Sequence, residues 1–143
     1  MIRSLDRLQP FGLAALRVVL GAIMAAHGYP KVFGGLQGFA HFVGSLGFPE
    51  WLGYVAAFTE FAGGLCLIFG VLTRLVAFGI CIEMIVALWK VSGKGSFVGQ
   101  SNSHLPLLIA MTALLFVFFG GGPFALDRWL FRPGTGSKPK TKG

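Results

Sequence analysis

Hydrophobic and polar positions divide this chain into four long apolar segments, separated by short polar or glycine- and proline-rich stretches. The apolar segments cover approximately residues 11–29, 52–72, 75–91 and 105–124. Each is close to the roughly 20 residues that an α-helix needs to cross a hydrocarbon core about 30 Å thick. Because lipid cannot hydrogen-bond the backbone, such segments must be helical. The pattern therefore predicts an all-α, integral membrane four-helix bundle.

The bundle is predicted to form a single domain over residues 1–132. Residues 133–143 are rich in Gly, Ser, Pro and Lys, which is typical of a disordered basic tail. The N-terminal stretch MIRSLDR also has the character of a signal-peptide basic region. Arg17 interrupts the apolar residues that follow it, so we expect the first helix to be retained.

Composition and charge support a membrane protein. Of the 143 residues, 55% are hydrophobic and 12% are charged, which is too apolar for a water-soluble domain of this size. The net charge is +7, but the basic residues flank the apolar segments and form no basic face interleaved with aromatic side chains. The expected partner is therefore the lipid bilayer, and nucleic-acid binding is not predicted.

Basic residues also predict the orientation of the helices. With four spans, both termini and the corner at Arg74 share one side of the membrane. That side carries eight Lys and Arg residues: Arg3, Arg7, Arg74, Arg128, Arg132, Lys138, Lys140 and Lys142. The other side carries Lys31, Lys90 and Lys94. The positive-inside rule places both termini in the cytoplasm and the two longer loops outside.

The first outer loop contains a further predicted helix. Phe39, Phe42, Val43 and Leu46 recur at the spacing of an apolar helical stripe. Such an amphipathic helix either lies in the outer membrane interface or packs back onto the bundle. His41 falls off the stripe and is predicted to be a solvated surface residue.

Three ionisable residues lie inside the apolar segments. At a rise of about 1.5 Å per residue, Glu60 and Glu83 are expected about 12 Å from the outer helix ends, and Arg17 about 18 Å. Thr112 falls near the same level. Charged groups facing lipid are costly, so these side chains are expected to point inward and to find partners. Helical spacing supports this, because glycines share their faces: Gly63 and Gly64, with Leu67, lie on the face of Glu60, and Gly21 and Gly28, with Met24, lie on that of Arg17. We predict a buried polar layer in which Arg17 pairs with Glu60.

This layer has two interpretations. An Arg and carboxylate pair can simply hold the helices in register, or it can form a functional site, as intramembrane charges commonly do. Two acids and one base leave the layer unbalanced. Either one carboxyl group is protonated, or another cation, a proton path or a polar ligand balances the charge.

Two histidines lie near the expected outer surface, His27 at the end of the first helix and His104 at the start of the fourth. Paired histidines can ligate haem or a metal, but no short metal motif is present. Hydrogen bonding to a quinone head group, or a structural role at a helix end, is favoured. Cys66 and Cys81 are expected at similar depth, either as buried free thiols or as a redox pair, although they lack CxxC spacing.

Three stretches resemble the DoxX family of small four-helix bacterial membrane proteins: LRVVLGAIMAAHGYPKVFG, GFAHFVGSLGFP and FTEFAGGLCLIFGVLTRL. Arg17, His27 and Glu60 lie at positions that the family pattern picks out. The resemblance covers about residues 11–126, and the last helix matches only in hydrophobicity and in its closing glycines. It implies a multi-pass protein of the bacterial cytoplasmic membrane.

The resemblance implies redox functions of more than one kind. Some family members are similar to the small membrane subunit of a thiosulfate:quinone oxidoreductase or terminal quinol oxidase. Others are tied to quinone or thiol stress, or anchor soluble redox enzymes. The chain has no flavin, iron–sulfur or c-type haem motif, so we expect a quinone-linked subunit that works with a redox partner protein. The alternative is a non-catalytic scaffold that anchors a soluble redox partner.

The expected quinone-binding residues are Arg17, His27, Glu60, Glu83, His104 and Thr112, around a cavity between the outer halves of the helices.

Overall fold

The computed structural model describes residues 7–92 and 104–130, and all the regular secondary structure in these ranges is helical. The described helices are α1 (Gln9–Gly34), α2 (Leu36–Ser45), α3 (Trp51–Phe69), α4 (Thr73–Ser92), α5 (His104–Phe119) and α6 (Asp127–Leu130). The all-α prediction is confirmed for this part of the chain. The predicted disordered tail at 133–143 lies outside the described residues.

Two of these helices, α1 and α3, are long and apolar enough to cross a membrane. Helix α5 is also apolar but has 16 residues. Helix α4 has 20 residues and carries Arg74, Glu83 and Lys90. The helices thus differ in how strongly length and composition alone mark them as membrane spans.

The first helix is longer than the apolar pattern predicted. It continues through Pro30 to Gly34, whereas the pattern placed its end at Tyr29. Proline removes one backbone hydrogen bond, but membrane helices commonly tolerate this loss. The extension keeps Lys31 within the helix, one turn beyond Gly28.

Helices α1 and α3 pack closely and antiparallel. Small residues on both allow this approach: a Cβ added at Gly28 would lie 2.4 Å from the Phe61 backbone nitrogen, and one at Gly64 would lie 2.4 Å from that of Ala25. The buried faces follow the predicted spacing. They consist of Arg17, Leu20, Gly21, Met24 and Gly28 on α1, and of Gly53, Ala57, Glu60, Gly63, Gly64 and Leu67 on α3.

The other helices complete a shared core. Helix α4 packs mainly against α5, and α2 packs on α3. A Cβ added at Gly53 would lie 2.6 Å from the Cα of Ala40, so α2 sits directly on the start of α3. The buried core draws side chains from α1, α3, α4 and α5, among them Met24, Leu67 and Phe116.

Candidate functional site

A cavity of about 820 Å³ lies where α1 ends and α3 begins. Its walls come from α1, α2, α3, α4 and the loop between α2 and α3. The side chains of the predicted amphipathic stripe all line it: Phe39, Phe42, Val43 and Leu46. Of the two positions predicted for α2, the structure therefore has the helix packed back onto the others. We refer to this space as the Glu60 cavity.

Glu60 contributes the most buried charge of the cavity. Its side chain is 6% exposed and forms an ion pair with Lys31, whose side chain is 27% exposed. The Lys31 ammonium contacts both carboxylate oxygens, with a distance of 2.5 Å from Nζ to Oε1. Helix α3 presents Glu60 on the buried face, and the extended end of α1 brings Lys31 to it. The partner of Glu60 is thus a lysine near a helix end.

Glu83 on α4 completes a group of three charged side chains. Its carboxyl group lies beside that of Glu60 and interacts with it and with Lys31. Neighbouring carboxylates repel each other unless a proton or a cation lies between them. Glu83 Oε2 is also buried and has no hydrogen-bond partner among the described residues. The cavity therefore contains a polar oxygen with unused hydrogen-bonding capacity.

Two lysines connect this polar group with the aromatic wall. The Nζ atom of Lys31 lies 4.5 Å from the centre of the Phe39 ring. Lys90 on α4 lies at the same distance from the Phe48 ring and donates a 2.6 Å hydrogen bond to the Leu46 carbonyl oxygen. These contacts hold α2 and its following loop over the cavity.

This arrangement suits a molecule with an oxygen-bearing head and an apolar body. Most of the lining is apolar, and three of its four charged side chains, Lys31, Glu60 and Glu83, lie together, which is the usual composition of a small-molecule site. The lysines can donate hydrogen bonds and the carboxyl groups can accept or exchange protons. Within residues 7–92 and 104–130, no cluster of His, Cys, Asp and Glu is suited to a metal ion.

The predicted pair between Arg17 and Glu60 is wrong. Arg17 is buried at the opposite end of α1 and donates hydrogen bonds to the carbonyl oxygens of Gly121, at 2.7 Å, and Phe124, at 3.3 Å. The register of α1 against α3 explains the error: Gly28 packs beside Phe61, so Arg17 lies further along α3, beside Gly70 at its C-terminal end. The depth estimate had assumed that α1 ends at Tyr29.

The contacts of Arg17 belong to a second polar region, which we call the Arg17 corner, formed by Arg17, Gly70, Gly121, Phe124 and Asp127. Gly70 ends α3 with a left-handed φ of 73° that favours glycine. Asp127 accepts hydrogen bonds from the backbone N–H groups of Leu72, at 2.5 Å, and Thr73, at 2.8 Å, at the start of α4. The segment after α5 is thereby fastened to the turn between α3 and α4.

The remaining predicted site residues lie outside the Glu60 cavity. His27 and His104 are exposed and do not line it. Thr112 donates its hydroxyl to the Leu108 carbonyl oxygen of its own helix, at 2.7 Å. Of the six predicted residues, the structure brings together only Glu60 and Glu83. The two cysteines are free: Cys81 is buried and Cys66 is partly buried.

Lys31 and Lys90 were the site residues that the sequence prediction missed. Both had been counted for membrane orientation, and although Lys90 shares a helix face with Glu83, neither was placed in the predicted site. Lys31 continues the spacing of Arg17, Gly21, Met24 and Gly28, which recur every three or four residues. That spacing was the available signal, and the proline at position 30 concealed it.

His41, predicted to be a solvated surface residue, is confirmed as one. Its side chain is 72% exposed and pairs with Glu50, which is 54% exposed, at 2.9 Å.

Comparison with known proteins gives one family and several relatives. The model of the DoxX family matches residues 12–93. "Putative oxidoreductase CatD" of Bacillus subtilis is 35% identical over 121 residues, which cover 85% of this chain and 88% of the relative. An "Uncharacterized protein" of Haemophilus influenzae is 34% identical over 92% of this chain and 99% of its own. "Inner membrane protein YqjF" of Escherichia coli is 26% identical over 88% of this chain and 97% of the relative. No solved structure matches the chain.

Proposed function

The chain belongs to the DoxX family, and from this membership we propose that it is a membrane subunit of a redox system that binds quinone, or a similar lipophilic molecule, in the Glu60 cavity. The name of the Bacillus subtilis relative supports a role in oxidation and reduction. Electrons would pass between the bound quinone and a redox partner protein. The chain is proposed to act as a quinone-linked oxidoreductase subunit.

We further propose that α1, α3, α4 and α5 form a four-helix transmembrane bundle in the bacterial cytoplasmic membrane, with both termini in the cytoplasm. The greater number of Lys and Arg residues on the side of the termini supports this orientation. The name of the Escherichia coli relative supports the inner membrane. The Glu60 cavity would then lie in the outer half of the membrane.

A topology test uses reporter fusions at Gly143. A reporter active only in the cytoplasm is expected to work there, and a reporter active only in the periplasm is expected to be silent. Activity of the periplasmic reporter would reverse the orientation and place the cavity toward the cytoplasm.

The observation that carries the quinone proposal is the composition of the Glu60 cavity. An apolar space of about 820 Å³ ends on the Lys31, Glu60 and Glu83 side chains, and one of the Glu83 oxygens is buried with no partner among residues 7–92 and 104–130. Buried polar atoms normally have hydrogen-bond partners. A quinone oxygen would accept a hydrogen bond from Glu83 when that carboxyl group carries a proton, and a quinol hydroxyl would donate one when it does not. The apolar parts of the ligand would contact α2 and α4.

Each polar residue has a proposed role at this site. Bound quinone supplies an electron acceptor whose reduction also takes up protons. Lys31 would donate a hydrogen bond to a head-group oxygen and hold Glu60 in position. Glu60 and Glu83 would exchange protons at their carboxyl oxygens. The aromatic side chains of α2, including Phe39 and Phe42, would exclude water from the head group.

Glu60→Gln tests this assignment, because the amide keeps the shape of the side chain but removes its charge and its capacity to exchange protons. The full chain in lipid nanodiscs is titrated with decylubiquinone, and quenching of tryptophan fluorescence gives the Kd. Trp89 is a suitable reporter because its ring lies 5.1 Å from the Lys90 ammonium in the cavity wall. We expect Glu60→Gln to raise the Kd about tenfold or more, as loss of a charged hydrogen bond does.

Glu50→Gln is the matched control. It makes the same chemical change on an exposed carboxylate outside the cavity, so the Kd is expected to stay within about twofold of wild type. If wild-type protein does not bind decylubiquinone, or if both variants bind as wild type does, the quinone site is wrong. The role of a scaffold for a soluble redox partner would then replace it.

A further inference from the structure

A second space lies between α3 and α4, next to the Glu60 cavity. This groove has a volume of about 650 Å³. Its lining includes Phe58, Thr59, Ala62, Gly63, Val76 and Gly79. Phe58 is 50% exposed and Leu75, at the far end of the groove, is 66% exposed. In a membrane, the groove would open to lipid.

The groove and the cavity adjoin each other. Val55, Thr59 and Gly79 line both spaces. At the junction Gly79 contributes no side chain, and a Cβ added there would meet only the Thr59 methyl carbon, at 3.5 Å. This is ordinary van der Waals contact, so alanine fits at position 79, whereas a large side chain would enter the junction. Gly79 thus places no side chain at the boundary between the two spaces.

The dimensions and chemistry of the groove fit an apolar chain. From Thr59 to Cys66 it follows α3 for about two turns, or roughly 10 Å. Helices α3 and α4 contact each other less extensively than α1 contacts α3 or α4 contacts α5, which leaves this space between them. The charged side chains all lie on the cavity side of the junction. Taken together, the two adjoining spaces thus have one polar end and one apolar end.

We propose that the groove between α3 and α4 is the route by which the apolar tail of the bound ligand passes from the Glu60 cavity into lipid. The proposal rests on the quinone site above and identifies the two helices between which the tail leaves. The lining that the groove shares with the polar cavity favours a ligand tail over other occupants. A separate phospholipid chain or a second copy of this protein could cover the groove whether or not it adjoined the cavity.

Gly79→Phe tests the route, with Gly79→Ala as its control. Each variant, as full chain in nanodiscs, is titrated with decylubiquinone and with the tail-less dimethoxy-methyl-benzoquinone head group. Gly79→Phe is expected to raise the Kd of decylubiquinone about tenfold or more and to leave that of the head group within about twofold. Gly79→Ala should change neither Kd. The ratio of the two affinities is the diagnostic quantity.

A second blocking variant is needed in case Gly79→Phe disturbs the fold at the junction. Ala62 is exposed and lines only the groove, so Ala62→Phe can fill the groove without disturbing the buried packing. Leu65→Phe, at an exposed position on the same helix that lines neither space, is its control. Ala62→Phe is expected to weaken binding of decylubiquinone selectively, and Leu65→Phe is not.

The outcomes separate the two proposals. If wild-type protein binds both quinones and the blocking variants keep the wild-type affinity ratio, the tail leaves elsewhere and only the route is wrong. The same conclusion follows if Ala62→Phe, which changes a residue that lines only the groove, weakens both quinones equally while its fold is intact. If wild-type protein binds neither quinone, the proposed site fails and the route fails with it.

Discussion

The Arg17 corner and the Glu60 cavity use buried charge in opposite ways. In the Arg17 corner, a guanidinium donates to two main-chain carbonyl oxygens, and Asp127 holds the adjoining turn. In the Glu60 cavity, a lysine and two glutamates border a space of about 820 Å³. One region joins chain segments to each other, whereas the other leaves charged groups facing open volume.

The difference shows which buried charges are candidates for function. The partners of Arg17 are fixed parts of the backbone, and its role in linking α1 to the segment after α5 needs no ligand. Among the described residues, both regions contain a buried polar atom without a partner, Arg17 Nε at the corner and Glu83 Oε2 at the cavity. Only around Glu60 do the charged side chains border a space large enough for a ligand. A buried charge beside a cavity therefore carries more functional information than a buried charge alone.

The largest effect on stability is expected at the Arg17 corner. Arg17→Leu removes two hydrogen bonds from a charged donor that is 3% exposed, and it leaves the Gly121 and Phe124 carbonyl oxygens without these donors. Backbone carbonyls cannot compensate by taking up a proton. We expect a loss of about 3 kcal/mol or more in the free energy of unfolding, measured by denaturation in mild detergent.

Arg17→Lys separates charge from geometry in the same experiment. A lysine keeps the charge but lacks the planar fork that reaches two acceptors, so it should recover only part of the loss. When decylubiquinone is titrated into the folded protein, both variants should have the wild-type Kd. A normal stability for Arg17→Leu would show that its hydrogen bonds do not hold the fold. A selective loss of quinone binding would assign Arg17 to the site after all.

Helical spacing was enough to predict which faces of the helices are buried and which side chains of α2 line the cavity. The three- and four-residue recurrence of small and ionisable residues identified the buried faces of α1 and α3. The stripe on α2 identified the side chains that line the cavity. These predictions succeed because a helix repeats every 3.6 residues whatever its surroundings. They concern single helices. Spacing along one helix does not show which residues of two neighbouring helices meet.

The pairing of charges could not be predicted in the same way. Depth had been counted from assumed helix ends, and the end of α1 was set at Tyr29 because of the following proline. The helix runs five residues further, to Gly34, and its register against α3 depends on contacts such as that of Gly28 with Phe61. The Arg17 corner also depends on the glycine-rich turn after α5, where Gly120 and Gly122 adopt positive φ. No periodic pattern encodes these long-range contacts.

A smaller loss of stability is expected at the Glu60 cavity, where a proton can replace a missing cation. Lys31→Met removes the partner of Glu60 beside a second carboxyl group. Because Lys31 is 27% exposed and a carboxyl group can be neutralised by protonation, we expect a loss of about 1–3 kcal/mol in the free energy of unfolding.

The double variant Lys31→Met with Glu60→Gln tests whether these two side chains act as a pair. Removing the carboxylate as well as the ammonium leaves no uncompensated charge at this position, so the double variant should recover much of the stability lost in Lys31→Met. It should not recover quinone binding, because the amide and thioether cannot replace the ion pair at the head group.

A denaturant titration and a decylubiquinone titration of wild type, the two single variants and the double variant measure both quantities. Strictly additive stability changes would show that Lys31 and Glu60 are not coupled. Recovery of quinone affinity along with stability would show that the pair only holds α1 against α3, as the hydrogen bonds of Arg17 do at the other end.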